Sequence, residues 1–210
     1  IFPTAFYTMI YIILPVTGTY LRVTRFVIAL LTLLLTPTWL LFLQNPQWIP
    51  PQFAFIKISG DVYVPLFAQL LILEFAIDGL KLAAINTPGM LTTPLSVIAG
   101  LVVGEFAVQS GWFNAETMLY MAFVAIANYT QASYELGYAL KFMRILMLIL
   151  TAVFGLAGYA AGLVITFLSL LLNRTVSGES YLYPLIPFDG KQFCRRIFRK
   201  RIRFDINLKE

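Results

Sequence analysis

Residues 26–43 read FVIALLTLLLTPTWLLFL, eighteen positions without a charge, and Arg22 and Arg25 stand just before them. A helix needs about 20 mostly apolar residues to cross a hydrocarbon core of roughly 30 Å, and cations mark the end that stays in the cytoplasm. The stretch therefore predicts a membrane-spanning helix, with Pro37 as a kink that a neighbouring helix has to accommodate.

The rest of the chain agrees with that solvent. Of 210 residues, 60% are hydrophobic and 12% charged, and the mean hydropathy is +0.82. A soluble domain is only about half apolar, so this is an integral membrane chain. It holds no histidine and a single cysteine, Cys194. An imidazole base and the usual zinc or haem ligands are thus absent, and the expectation is no metal, no cofactor and no enzymatic chemistry. The chain begins at Ile1 without a methionine and reads as the membrane part of something longer.

Further spans are expected at residues 117–134, uncharged between Glu116 and Glu135, and at 145–173, uncharged between Arg144 and Arg174. Residues 94–112 make a fourth if Glu105 is tolerated. Residues 61–85 carry Glu74, Asp78 and Lys81 at helical spacing, so this helix either spans or lies in the interface with its polar side in water. Between residues 191 and 203 stand Lys191, Arg195, Arg196, Arg199, Lys200, Arg201 and Arg203 with no acid among them, which predicts a cytoplasmic tail bound to anionic lipid headgroups rather than to nucleic acid. Both ends inside requires an even number of crossings. The expected fold is an all-α polytopic bundle of about four transmembrane helices with an interfacial or re-entrant helix at 61–85, at the cost of leaving Lys141 and Arg144 outside. The expected divisions are an apolar N-terminal segment and linker over 1–21, a transmembrane domain over 22–174, and the basic tail over 175–210. The first fifteen residues are too short to cross before Pro15 and Gly18, and QNPQWIPPQ at 44–52 and GWFNAE at 111–116 read as turns, the second an aqueous hairpin.

The residues that could carry a mechanism lie in SVIAGLVVGEFAVQSG at 96–111. Gly100 and Gly104 make a small-xxx-small pair for close helix packing. Val102, Glu105 and Gln109 share the neighbouring stripe. An ionised carboxylate facing lipid costs a few kcal/mol, so Glu105 should face protein, water or a cation path. If several copies surround an axis, the glutamates form an acidic ring and a valine ring can close it by dewetting. The bland alternative pairs Glu105 inside the bundle with Gln131 or Asn128. Asn128 either lines the same path or marks the end of a span, and Glu74 with Asp78 reads as a solvated face or a subunit contact.

GTYLRVTRF at 18–26, GLVVGEFAVQSG at 100–111, SYELGYALKFMRILMLI at 133–149 and YPLIPFDGKQF at 183–193 together resemble the membrane domain of the spore germination receptor A subunits, in particular the stage V sporulation AF branch. That resemblance implies an inner membrane protein of Gram-positive endospores, preceded by a large soluble domain and assembled in oligomeric rings, pentamers, that conduct cations. It implies as partners a transporter-like B subunit, a lipoprotein C subunit or products of the same operon. Glu105 stands where the family phrase carries glutamine, and YTMIYIIL at 7–14 where it is polar. The leading expectation is a subunit of a homo-oligomeric cation channel used in germination. The alternatives are a non-conducting scaffold that anchors a soluble sensing domain and, third, a secondary transporter, disfavoured by the lack of a visible repeat.

Overall fold

The uncharged stretch at 26–43 lies within one long helix, α1 (Phe2–Gln44), in the computed structural model. The structure describes residues 2–86, 100–131 and 133–172, and of these the side chains of 2–15, 84–86, 101–103 and 134 lie outside the description. All regular structure among the described residues is helical. α1 runs through Pro15 and Gly18, where the sequence suggested a stop. A proline removes one backbone hydrogen bond, and in an apolar medium the remaining groups have no better partner than the helix itself. Among the described residues, 2–28 with 167–172 form one compact unit and those within 29–166 another. The contacts that build the helix bundle lie in the second.

After α1 the proline-rich connection makes two 3-10 turns, Pro46–Trp48 and Pro51–Ile56. Pro65 then opens α2 (Leu66–Asn86), whose first turn is closed by the Gln69 amide donating to the Pro65 carbonyl at 3.1 Å. A π-helical segment, Gly100–Phe106, continues into Ala107–Gln109. Gly111 ends it with φ 78°, its N–H donating to the Val108 carbonyl while that of Trp112 donates to Ala107, the paired bonds of a left-handed helix cap. α3 (Ala115–Tyr129) and α4 (Tyr134–Leu172) follow, α4 capped by Ser133, whose hydroxyl accepts from the Leu136 amide at 3.1 Å.

α4 is not one rod. Gly155 has φ 57° and ψ −130°, outside the helical region. A Cβ placed on Gly158 would lie 1.8 Å from the Leu150 carbonyl oxygen, and one on Gly162 3.3 Å from the Cα of Met147. In a straight helix residues eight and fifteen apart are separated by about 12 and 22 Å. The chain therefore doubles back at Gly155, and Gly158 and Gly162 let the two limbs touch. The single uncharged span expected over 145–173 is instead the end of one limb and the whole of the next. By length and composition two helical stretches among the described residues pass for membrane spans, Val16–Gln44 and Glu135–Leu172, and the second is this hairpin.

The cross-contacts fix direction. α1 meets the first limb of α4 at Thr32 with Arg144 and at Gln44 with Thr151, so the two run parallel. The second limb returns beside α1, where the Thr38 and Tyr159 hydroxyls share a 2.8 Å hydrogen bond. α2 pairs Glu74 with Arg144 and Asp78 with Lys141, antiparallel to the first limb. α2 and α3 run the same way, joined at Gln69 with Asn114 and again where Lys81 lies over the Tyr129 ring. Trp39, Leu40, Leu70, Leu73, Phe113, Met121 and Leu148 form the core between these helices. The Trp39 indole donates to the Ile56 carbonyl at 3.1 Å, tying the proline-rich connection over that end.

Candidate functional site

The expected pore stripe sits on the π-helical segment. Such geometry is rare, and short π insertions recur at functional positions. Glu105 and Gln109 are both exposed, and Gln109 Nε2 donates to Glu105 Oε1 at 3.2 Å. A Cβ at Gly100 or Gly104 would meet nothing within 4 Å, so among the described residues the glycine pair packs against no neighbour. The side chain of Val102 lies outside the described residues, as do Arg195, Arg196, Arg199, Lys200, Arg201 and Arg203. Asn128 is buried on α3, and neither its Oδ1 nor Gln131 Nε2 has a hydrogen-bond partner among the described residues. The structure thus joins Glu105 to Gln109 and to neither Asn128 nor Gln131. Beside the segment opens an apolar groove of about 430 Å³, lined by Ile72, Leu73 and Ala76 of α2 and by Phe106, Trp112 and Phe113.

The expected aqueous hairpin at 111–116 is half inside. Trp112 is exposed, but Phe113 and Asn114 are buried. Asn114 and Gln69 exchange two hydrogen bonds, Gln69 Nε2 to Asn114 Oδ1 at 2.8 Å and the Asn114 amide to Gln69 Oε1 at 3.0 Å.

A second constellation is one that sequence reading missed. Glu74 is 1% exposed, Arg144 0% and Lys141 6%, which overturns the solvated-face reading of α2. Arg144 Nε donates to Glu74 Oε1 at 2.6 Å, its Nη1 donates to the Thr32 carbonyl at 3.0 Å, and its Nη2 lies 2.6 Å from Oε1 as an ion pair without hydrogen-bond alignment. Lys141 Nζ donates to the Glu74 carbonyl at 3.1 Å, lies 3.8 Å from Glu74 Oε2, and pairs with Asp78 Oδ2. Two acids on α2 and two bases on α4 cancel inside the bundle, with α1 drawn in through a carbonyl. Lys81 stands apart, over the Tyr129 and Tyr138 rings at 5.1 and 5.9 Å. Lys141 and Arg144 are therefore buried in ion pairs within the bundle, not left in an outside loop as the expected topology had them. The signal was present: two acids at i, i+4 on one apolar helix and two bases at i, i+3 on another are complementary once both are placed in lipid. The missed close-packing glycines, Gly158 and Gly162, were equally visible as a four-residue spacing.

These features define a helical membrane protein with a closed, charge-balanced bundle and one polar stripe turned outward. Residues 8–207 match the family described as Bacillus/Clostridium GerA spore germination protein, and the chain belongs to that family. It is 35% identical over 185 residues to Stage V sporulation protein AF of Bacillus subtilis (strain 168), covering 88% of this chain and 37% of that protein. Spore germination protein KA of the same organism is 27% identical over 157 residues, covering 74% and 29%, and spore germination protein A1 is 23% identical over 191 residues, covering 90% and 39%. The chain thus spans less than two fifths of the length of these relatives. No solved structure matches it.

Proposed function

We propose that the chain is the membrane part of a subunit which, in a ring of identical copies, forms a cation-conducting path acting in spore germination. The observation that carries this reading is the exposed Glu105–Gln109 pair on an otherwise apolar helix whose glycines have no neighbour among the described residues. A carboxylate that its own bundle does not cover needs water or other subunits around it in a membrane. A ring of copies supplies both, with Gly100 and Gly104 at the contact between them, the glutamates attracting cations, and Val102 one turn away as a hydrophobic gate. The names of the relatives support the place of action. The partners in this reading are other germination membrane proteins, and the location is the spore inner membrane with the basic tail on the cytoplasmic side, held by anionic lipid.

The test is single-channel recording of the purified full-length protein in planar bilayers with unequal KCl on the two sides. Discrete conductance is expected, with a reversal potential that moves away from potassium selectivity in Glu105→Gln. Unchanged selectivity in that variant sinks the assignment of Glu105. Silent bilayers containing inserted, oligomeric protein favour the second reading, a scaffold that anchors a sensing domain without conducting. That reading also has its observation: the interior of the bundle is closed by apolar packing and paired charges, which suits a rigid docking platform.

A further inference from the structure

The charges buried between α1, α2 and α4 play no part in the proposed conduction, and their role does not depend on whether the chain conducts. α2 carries Glu74, Asp78 and Lys81 within two turns around and after its middle, and among the described residues it is not one of the two helices that pass for spans by composition. The first limb of α4 carries Lys141 and Arg144. Taken singly, either charged face favours the membrane interface over hydrocarbon. Yet Glu74 and Arg144 are closed off from solvent, and each finds its counter-charge on the other helix. Asp78, with a side chain 27% exposed, is the open end of the arrangement, and Lys81 beyond it is engaged by tyrosine rings.

We propose that α2 is a conditionally inserted helix: the buried pair Glu74–Arg144, backed by Lys141, is the latch that keeps it within the bundle, and loss of the pair releases it toward the interface from the Asp78 end. Apolar packing is a weak substitute for the latch. Lipid tails satisfy the apolar side of α2, such as Leu73, as well as protein does, whereas an unpaired carboxylate or guanidinium finds no substitute there.

The test uses full-length protein in liposomes, with Cys194→Ser as background and Leu70→Cys as reporter, since Leu70 is fully buried one turn before Glu74, on the stripe of α2 that turns to water when the helix lies in the interface. Labelling by a water-soluble maleimide should be slow in this parent. In Glu74→Ala or Arg144→Ala it should rise on the order of a hundredfold, the scale on which a buried pair resists loss of one partner. The swap of all four charges, Glu74→Arg and Asp78→Lys with Lys141→Asp and Arg144→Glu, should return it toward the parent. Val124→Cys on α3, at a fully buried position outside the latch, should stay protected throughout. Single variants labelled no faster than the parent would overturn the proposal, because packing alone would then hold α2. A swap labelled as fast as the singles, or exposure of the Val124 reporter in them, would also overturn it, because the damage would then be general and not the release of one helix.

Discussion

At the scale of single residues, glycines separate by what surrounds them. Gly158 faces the Leu150 carbonyl oxygen, with a Cβ-to-oxygen distance of 1.8 Å that backbone cannot yield. Gly162 meets first the Cγ of Met147 at 2.9 Å, a flexible side chain that can give. At Gly79 a Cβ meets nothing within 4 Å. Alanine at Gly158 should therefore cost about 1–3 kcal/mol or more by overpacking, alanine at Gly162 less, and alanine at Gly79 should gain up to about 1 kcal/mol of helix propensity. Thermal unfolding of the full-length protein in detergent checks the ranking, with Tm expected in the order Gly79→Ala, parent, Gly162→Ala, Gly158→Ala. Gln69 gives a second residue-scale prediction. Leucine there strands the buried Asn114 amide and side chain, at about 1–3 kcal/mol. A Tm unchanged in Gln69→Leu would show that the amide pair contributes nothing.

At the scale of elements, the decisive feature is the turn at Gly155. A run of apolar residues from 145 to 173 is compatible with one tilted helix, and periodicity cannot distinguish that from two limbs, because both present the same composition to lipid. Only the contact between limbs decides it. A Cβ at Gly162 lies 3.5 Å from the Cβ of Met147, inside the range a disulfide spans. Met147→Cys with Gly162→Cys, in the Cys194→Ser background, should therefore oxidise to an intramolecular disulfide seen as a mobility shift between reduced and oxidised gels. A continuous helix would hold these positions about 22 Å apart and give no bond.

At the scale of the whole molecule, the connections report which ends share a side. The Ser59 amide donates to Glu116 Oε1 at 3.1 Å and Asn114 Nδ2 to the Asp61 carbonyl at 3.3 Å, so the loop after α1 and the turn before α3 meet at one end of the bundle. Trp48→Cys and Trp112→Cys, both at exposed positions, should then react with an impermeant maleimide from the same face of oriented vesicles; opposite faces would refute the arrangement. The expectation that placed α2 in the interface would have set those two loops apart. What the sequence determined by itself was the solvent, the all-helical class, the connections at 44–52 and 111–116 and the family, because apolar content, proline and glycine punctuation and short phrases are local properties. It also placed Glu105 and Gln109 on one stripe, since a helix fixes neighbours at i, i+4. What only the tertiary structure decided was the fate of charges far apart in the chain. Glu74 and Arg144 are seventy positions apart, and each alone reads as a surface group; burial becomes favourable only when the partner helix delivers the opposite charge to the same depth.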